Sequence, residues 1–243
     1  HFQKRGIDIL TGARVQSVTA NDEGVTVEVS QGDALQTLQA EQALVAIGFK
    51  PNTQELNLED AGVETTPRGF IKVDSKMQTN VAGIWAVGDI SGELLLAHAA
   101  SAQGVICAEA ISGMQVEMLE YTAIPRATYT SPQVASFGMT EAQLQEKAVP
   151  YQTGRFNFIA NGKAIGLGEG HGFCKVLIDP DSKKVLGASL IGPEVSELLP
   201  ELTLAHQAGI PVQEIAHRVH AHPTLSEVIM EAAHAATGTP IHG

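Results

Sequence analysis

The stretch His220-Ala221-His222-Pro223-Thr224-Leu225-Ser226-Glu227 brings two imidazoles and a carboxylate together within eight residues. Pro223 disfavours helical backbone at the residue before it, so His222 should lie outside any helix. Thr224 and Glu227 form the S/T-x-x-E pattern of a capping box, and an apolar run follows them. The stretch therefore predicts an extended loop that leads into a helix beginning at Thr224.

His222 and Glu227 are the candidate catalytic residues. A carboxylate in the first turn of the predicted helix can reach back to one ring nitrogen of His222. The other nitrogen would then face outward, which is the arrangement of a general base. The same residues also fit a plain helix cap in which Glu227 bonds only backbone, so the stretch alone leaves both interpretations open. His220 is interpreted as structural support, because only one imidazole can meet a substrate.

The composition is that of a globular protein with a sizeable core. Of the 243 residues, 44% are hydrophobic and 17% are charged, and the net charge is −12. This negative charge argues against a nucleic-acid partner and against an anionic membrane surface. No apolar run is long enough for a membrane-spanning helix. Cys107 and Cys174 lack metal-ligand spacing, so no metal site is predicted and both are expected to be reduced thiols of a cytoplasmic protein.

The hydrophobic pattern predicts a mixed chain that is α/β in its first part and α+β in its second. Val15–Ala20 and Val25–Ser30 alternate apolar and polar residues around Asn21-Asp22-Glu23-Gly24, which predicts a hairpin. Ala43–Ile47 is continuously apolar, as expected of a strand buried on both faces of a parallel sheet. It ends at Gly48, at the sheet edge where ligands bind in open α/β folds.

A second unit follows, with predicted strands at Phe70–Asp74 and Gly83–Asp89 and a predicted helix over Ala97–Ser112. Gly88 permits a close approach of backbone to a ligand. Asp89, at the end of its strand, places an acceptor for a ribose- or ribityl-type hydroxyl. A plain Gly-Asp turn is the alternative interpretation of this pair.

Residues 121–243 have the pattern of an α+β domain. Asn161-Gly162 predicts a hairpin turn, and Thr140 with Gln143 predicts a capping box at a helix start. The predicted strands are Ala127–Tyr129, Val134–Gly138, Thr153–Ile159, Lys163–Gly168, Phe173–Ile178 and Val185–Ile191.

Several local motifs together resemble the dihydrolipoamide dehydrogenase family of flavoprotein disulfide reductases. Gly48-Phe49-Lys50-Pro51-Asn52 is similar to the turn that closes the family's NAD-binding domain, although Phe49 stands where the family usually has arginine. Ile84–Ile90 resembles the second FAD motif, and Leu95–His98 the loop that follows it. Tyr129–Ala135 is similar to the opening of the interface domain, and His220–Glu227 to the catalytic signature.

The resemblance implies three segments: residues 1–50 from the end of an NAD-binding domain, 51–120 from the end of an FAD-binding domain, and 121–243 as a complete interface domain. It implies that His222 takes the thiol proton of dihydrolipoamide and that Glu227 holds its tautomer. Electrons would pass through a redox disulfide and FAD to NAD⁺. The implied cofactor-binding residues are Gly48, Asp89, Leu95, Leu96, Ala97 and His98. The implied partners are a second copy of the chain, bound through 121–243, and a 2-oxo acid dehydrogenase complex.

Some motifs of the family do not occur in this sequence. It contains no G-x-G-x-x-G, although the family pattern has one for FAD and one for NAD, and it has no C-x-x-x-x-C redox pair. We therefore expect a piece of a longer polypeptide that alone has no lipoamide dehydrogenase activity and binds no stoichiometric FAD.

Two other interpretations remain open. The chain could belong to another flavoprotein disulfide reductase, of the glutathione- or mercuric-reductase type, although the His220–Glu227 signature favours lipoamide. It could also be a non-catalytic dimerisation or docking module in which His222 merely caps a helix.

Overall fold

The computed structural model describes residues 1–242, which divide into two compact units. The first unit is His1–Lys50 and the second begins at Pro51. The predicted mixture of α and β structure is confirmed, with one sheet in each unit. Among the described residues, no helix combines the length and apolarity needed to cross a bilayer.

The first unit is built on an antiparallel meander of β1 (Arg14–Asn21), β2 (Gly24–Gln31) and β3 (Ala34–Ala40). The predicted hairpin is confirmed: β1 and β2 pair down to Asn21 and Gly24. A Cβ at Gly24 would lie 2.6 Å from the carbonyl oxygen of Ala40, and its φ is +137°, so only glycine fits this crossing.

The predicted buried strand at Ala43–Ile47 is wrong. No strand forms there, and the side chains of Leu44 and Ile47 are 92% and 93% exposed. A continuously apolar strand needs pairing strands at its sides and covering layers on both faces. No described residue pairs with this segment, so its apolar sequence is left uncovered.

In the second unit, the first part is irregular apart from α1 (Ala97–Ile111), whose predicted span is confirmed. The predicted strands at Phe70–Asp74 and Gly83–Asp89 are wrong, because each contributes only an isolated bridge. Ile71 and Ala86 of these segments instead pack with Val63 in a small buried cluster.

The later part of the second unit is an antiparallel sheet in the order β4-β5-β8-β7-β6. Its strands are β4 (Arg126–Thr128), β5 (Gln133–Gly138), β6 (Gln152–Asn157), β7 (Phe173–Ile178) and β8 (Val185–Gly192). Its helices are α2 (Glu141–Glu146), α3 (Gly162–Leu167), α4 (Val195–Gln207), α5 (Val212–Ala216) and α6 (Glu227–Ala236).

The main core lies between this sheet and the helices α4 and α6. Cys174, Val176, Leu190, Leu202 and Ile229 are fully buried members of it. Each large apolar side chain buried there contributes on the order of 1.5–3 kcal/mol. This core therefore holds the two helices that carry the acidic residues of the candidate site.

The predicted strand at Lys163–Gly168 and the hairpin turn at Asn161-Gly162 are wrong, because this segment is helix α3. The Asn161 carboxamide oxygen accepts the Ala164 N–H at 2.9 Å and caps the helix. Gly168 closes the helix with a φ of +73°. Local capping has thus prevailed over the turn preference of the Asn-Gly pair.

The capping box at Thr140 and Gln143 is confirmed. The one predicted at Thr224 is wrong in part, because α6 begins only at Glu227. Glu227 accepts the Thr224 N–H, but the Thr224 hydroxyl donates to the carbonyl of Ala221 and caps nothing. The Glu227 carboxylate also bonds His222.

Candidate functional site

His222 and Glu227 form an ion-pair-type contact at the start of α6. The Nδ1 atom of His222 lies 2.9 Å from Oε1 of Glu227. The imidazole side chain is 76% exposed, whereas the carboxylate is 18% exposed. Among the described residues, nothing hydrogen-bonds Nε2 of His222. The ring is therefore held at one nitrogen and open to a ligand at the other.

Glu227 is fixed from two sides. Its second oxygen, Oε2, accepts the Thr224 N–H at 2.8 Å. Burial alone raises the pKa of Glu227, but the bonds from Thr224 and His222 and the charges of His222 and His220 outweigh it, so its net pKa lies below the ordinary value of 4.5. The Glu227 carboxylate is therefore ionised at neutral pH and accepts a hydrogen bond from Nδ1–H of His222. This places the hydrogen of neutral His222 on Nδ1 and the lone pair on Nε2.

His220, two residues away, has no free ring nitrogen. Nε2 lies 3.2 and 3.3 Å from the two oxygens of Glu201 on α4, and Nδ1 lies 3.1 Å from the carbonyl of Arg218. Its side chain is 9% exposed. This geometry supports the interpretation of His220 as structural support, and it anchors the loop that carries His222 to α4.

The lowered pKa of Glu227 leads to a prediction about acid stability. A carboxyl whose pKa is depressed by folding stabilises the protein above its unfolded pKa, and that contribution is lost as the pH falls through the folded pKa. In the Glu227→Gln variant, we expect a smaller loss of unfolding free energy between about pH 6 and pH 3 than in the wild type. Urea titrations at a series of pH values measure this difference. Glu146→Gln, the same change at an exposed position of α2, is the control, and equal slopes for wild type and Glu227→Gln would contradict the prediction.

The buried side chain of Gln103 is hydrogen-bonded to the turn at Gly88-Asp89. The Gly88 N–H donates to Oε1 of Gln103 at 2.6 Å, and Nε2 of Gln103 donates to the hydroxyl of Tyr121 at 2.9 Å. Gly88 has a φ of +81°, and a Cβ there would lie 3.4 Å from Cβ of Ala100, so the turn packs closely on α1. Asp89 itself is exposed, with its carboxylate available as an acceptor.

The loop Leu95–His98 leads into the N-terminus of α1. Leu96 has extended backbone and its side chain makes no capping hydrogen bond, so no N-cap side chain satisfies the first N–H groups of this fifteen-residue helix. His98 is exposed, and its Nε2 lies 2.8 Å from the carbonyl of Pro125. Gly88, Asp89, Leu95, Leu96 and Ala97 therefore lie close together along the chain, between the turn at Gly88-Asp89 and the first residue of α1.

Gly48 belongs to the first unit. Its φ is +125°, and no atom lies within 4 Å of the position of a Cβ.

Among the described residues, no three His, Cys, Asp or Glu side chains come together as a metal site requires.

Glu201 and Gln103 were not identified from the sequence. A glutamine within the apolar pattern of a predicted helix is a signal that a polar partner lies nearby, and this signal applies to Gln103. Glu201 gives no comparable signal, because an acidic residue on a helix is most often solvent-exposed.

Two family profiles match most of the chain. Residues 1–104 match the family described as pyridine nucleotide-disulphide oxidoreductase, and residues 124–233 match the dimerisation domain of the same family. Dihydrolipoyl dehydrogenase of Mycobacterium leprae is 45% identical over 99% of this chain and 52% of the relative. That of Geobacillus stearothermophilus is 40% identical over 99% of this chain and 51% of the relative. The chain thus spans about half the length of the curated relatives that it matches.

Solved structures give the same result. LpdA from Mycobacterium tuberculosis superposes with a TM-score of 0.87 at 31% identity, over 96% of this chain and 50% of that one. The HOCl-induced flavoprotein disulfide reductase RclA from Escherichia coli superposes with a TM-score of 0.83 at 26% identity, over 93% of this chain and 52% of that one. From these matches, and from the motifs and the His222–Glu227 pair, we conclude that the chain belongs to the pyridine nucleotide-disulphide oxidoreductase family of flavoprotein disulfide reductases and is similar within it to dihydrolipoyl dehydrogenases.

Proposed function

We propose that this chain is the part of a dihydrolipoyl dehydrogenase that supplies the base for thiol oxidation. The overall reaction oxidises the dithiol of dihydrolipoamide to a cyclic disulfide and reduces NAD⁺ to NADH with release of a proton. The observation that carries the proposal is the exposed His222 ring with Nδ1 on Glu227 and Nε2 free. The similarity to dihydrolipoyl dehydrogenases supports the choice of substrate.

In this proposal, His222 acts on the substrate thiol. An alkyl thiol is mostly protonated at neutral pH, and only its thiolate attacks a disulfide. Nε2 of His222 accepts the thiol proton, and the carboxylate of Glu227 stabilises the resulting imidazolium through Nδ1–H. This is the base and orienting carboxylate of a catalytic triad without its serine.

The residues of the second unit fit part of an FAD site. The Asp89 carboxylate would accept a hydrogen bond from a ribityl hydroxyl, and the uncapped N-terminus of α1 at Ala97 and His98 would face the polar edge of the flavin ring. The hydrogen bond from the Gly88 N–H to Gln103 would keep the Gly88-Asp89 turn in place. FAD, when bound, would supply the two-electron transfer between the reduced redox cysteines and NAD⁺. Gly48 is proposed for the NAD side on the family resemblance.

The redox disulfide is proposed to be formed by cysteines other than those of this chain. Cys107 and Cys174 are both buried and unpaired. Burial, with a smaller contribution from the charge of Glu201, raises the pKa of the Cys174 thiol far above its ordinary value. A thiol in that environment is inert in disulfide exchange. We propose that His222 serves a disulfide of the partner in a homodimer, as the resemblance implies.

A prediction follows for the 243-residue chain in solution. We expect it to form a dimer of twice 25.6 kDa through residues 121–243, a region that includes the match to the dimerisation domain. We also expect it to purify without stoichiometric FAD and to lack dihydrolipoamide activity, because the G-x-G-x-x-G motifs are not in it. Light scattering with simultaneous visible absorbance tests both expectations. A monomer at micromolar concentration, or a yellow chain, would count against them.

The proposed setting is a cytoplasmic 2-oxo acid dehydrogenase complex. Two buried free thiols are typical of a reducing compartment, which is consistent with this setting.

A second candidate function is the reduction of a different disulfide, favoured by the similarity to RclA. Steady-state rates of the intact flavoenzyme with dihydrolipoamide and with other dithiols and disulfides distinguish the two candidates. Dihydrolipoamide should give the highest kcat/KM if the first proposal holds.

A further inference from the structure

Asn161 is one of the few polar side chains that are buried in the second unit, with 4% of its surface exposed. It precedes α3, and α3 lies 53 or more residues before the loop that carries His222 in the sequence. Its carboxamide is nevertheless bonded to both. The oxygen accepts the Ala164 N–H at 2.9 Å, and the nitrogen donates to the carbonyl of Thr224 at 3.0 Å.

We propose that Asn161 is a positioning residue for the base: its amide nitrogen fixes the backbone at Thr224 and thereby holds the His222 ring on Glu227. This inference rests on the role of His222 proposed above and deepens it. Asn161 does not touch the proposed substrate. It acts through the loop.

Thr224 is the residue through which the effect is transmitted, because every polar group of its backbone and side chain is engaged. Its N–H donates to Glu227, its hydroxyl donates to the carbonyl of Ala221 at 2.6 Å and lies 2.9 Å from the hydroxyl of Ser226, and its carbonyl accepts from Asn161. All but the last of these partners lie within the same loop or the first turn of α6. The bond from Asn161 is therefore the one that ties Thr224 to another element.

The start of α3 also lies directly beside the base. A Cβ built on Gly162 would have Cε1 of His222 at 3.9 Å as its only neighbour within 4 Å. The His222 ring therefore lies near the first residue of the helix that Asn161 caps, without a clash at that position. A shift of Thr224 relative to α3 would displace the loop that carries this ring.

The two functions of the Asn161 side chain can be separated by substitution. Serine at a helix N-cap accepts the same backbone N–H and is about as favourable there as asparagine. It has no counterpart of the amide nitrogen, so Asn161→Ser keeps the cap of α3, removes the bond to Thr224 and adds no charge to this buried position. Misplacement of a reacting group by about 1 Å lowers rates by as much as about 10²-fold, which sets the scale of the effect.

In the intact flavoenzyme, we expect Asn161→Ser to lower kcat for dihydrolipoamide oxidation by about 10- to 100-fold, with KM changed by less than about threefold. In the 243-residue chain, ¹⁵N NMR of the imidazoles should show loss of the single Nδ1–H tautomer of His222, with Tm close to that of the wild type. Asn157→Ser makes the same change at an exposed asparagine four residues earlier and should leave both readouts unchanged.

Wild-type kcat and an unchanged His222 tautomer in Asn161→Ser would overturn the inference. A large fall in Tm would also overturn it, because it would assign Asn161 a general structural role. These outcomes differ from failure of the proposed function, in which His222→Gln itself would retain activity.

Discussion

Replacing His222 by glutamine in the intact flavoenzyme is expected to lower kcat/KM for dihydrolipoamide by about 10²- to 10⁴-fold, the range that a positioned general base contributes. Glutamine fills much of the same space but accepts no proton at neutral pH. The side chain is 76% exposed, so its loss removes little packing, and we expect the Tm to change by no more than about 2 °C. Steady-state kinetics and thermal melts of the same preparations measure the two effects.

His217→Gln is the matched control, because His217 is an exposed histidine of the same domain outside the proposed site. It should retain wild-type kcat/KM. If His222 were only a cap residue of a docking module, His222→Gln would lower the Tm and leave the rate intact. That reversed pattern would exclude the base and favour the non-catalytic interpretation.

Gly154→Ala is expected to destabilise the chain by at least about 3 kcal/mol, at the upper end of overpacking effects. A Cβ on Gly154 in β6 would lie 2.0 Å from the carbonyl oxygen of Ala232 and 2.4 Å from the backbone nitrogen of Ala236 in α6. Backbone atoms cannot rotate away as side chains do, so strand and helix must separate. The Tm should fall by roughly 10 °C, as measured by calorimetry or circular dichroism.

Gly166→Ala provides the control for this substitution. Gly166 lies in α3, where no atom is within 4 Å of the added methyl group and its φ is not in the left-handed region. Alanine there should leave stability unchanged or raise it by about 0.4–1 kcal/mol. Equal Tm values for Gly154→Ala and the wild type would show that β6 and α6 do not approach as closely as described.

The parts of the fold that were predicted correctly are those whose pattern is local. The β1–β2 hairpin has alternating strands and a glycine-containing loop, and α1 has helical spacing over its full length. The strand predicted at Lys163–Gly168 is wrong because the helical conformation of this segment depends on the Asn161 cap. The Asn161 side chain is in turn bonded to Thr224, 63 residues away in the sequence. The strand predicted at Ala43–Ile47 is wrong for a related reason, because a fully apolar strand forms only where other strands and covering layers are present.

The candidate site follows the same division. His222 and Glu227 are only five residues apart, so the local capping pattern was sufficient to predict their contact. The structure has this contact. Their catalytic role remains a prediction. Glu201 and Asn161 reach the loop from α4 and α3, and only the tertiary packing of these helices brings them there. No periodicity in a single sequence encodes such contacts.

The central claim is that Glu227 holds His222 with Nδ1 protonated and Nε2 free to take a thiol proton. Long-range ¹H–¹⁵N correlation spectra of the histidine rings in the 243-residue chain, recorded at a pH where His222 is neutral, test this arrangement most directly. We predict one dominant Nδ1–H tautomer for His222, which reverts in Glu227→Gln to the mixture of an unrestrained imidazole. A dominant Nε2–H tautomer in the wild type, or a tautomer that is unaffected by Glu227→Gln, would contradict the claim.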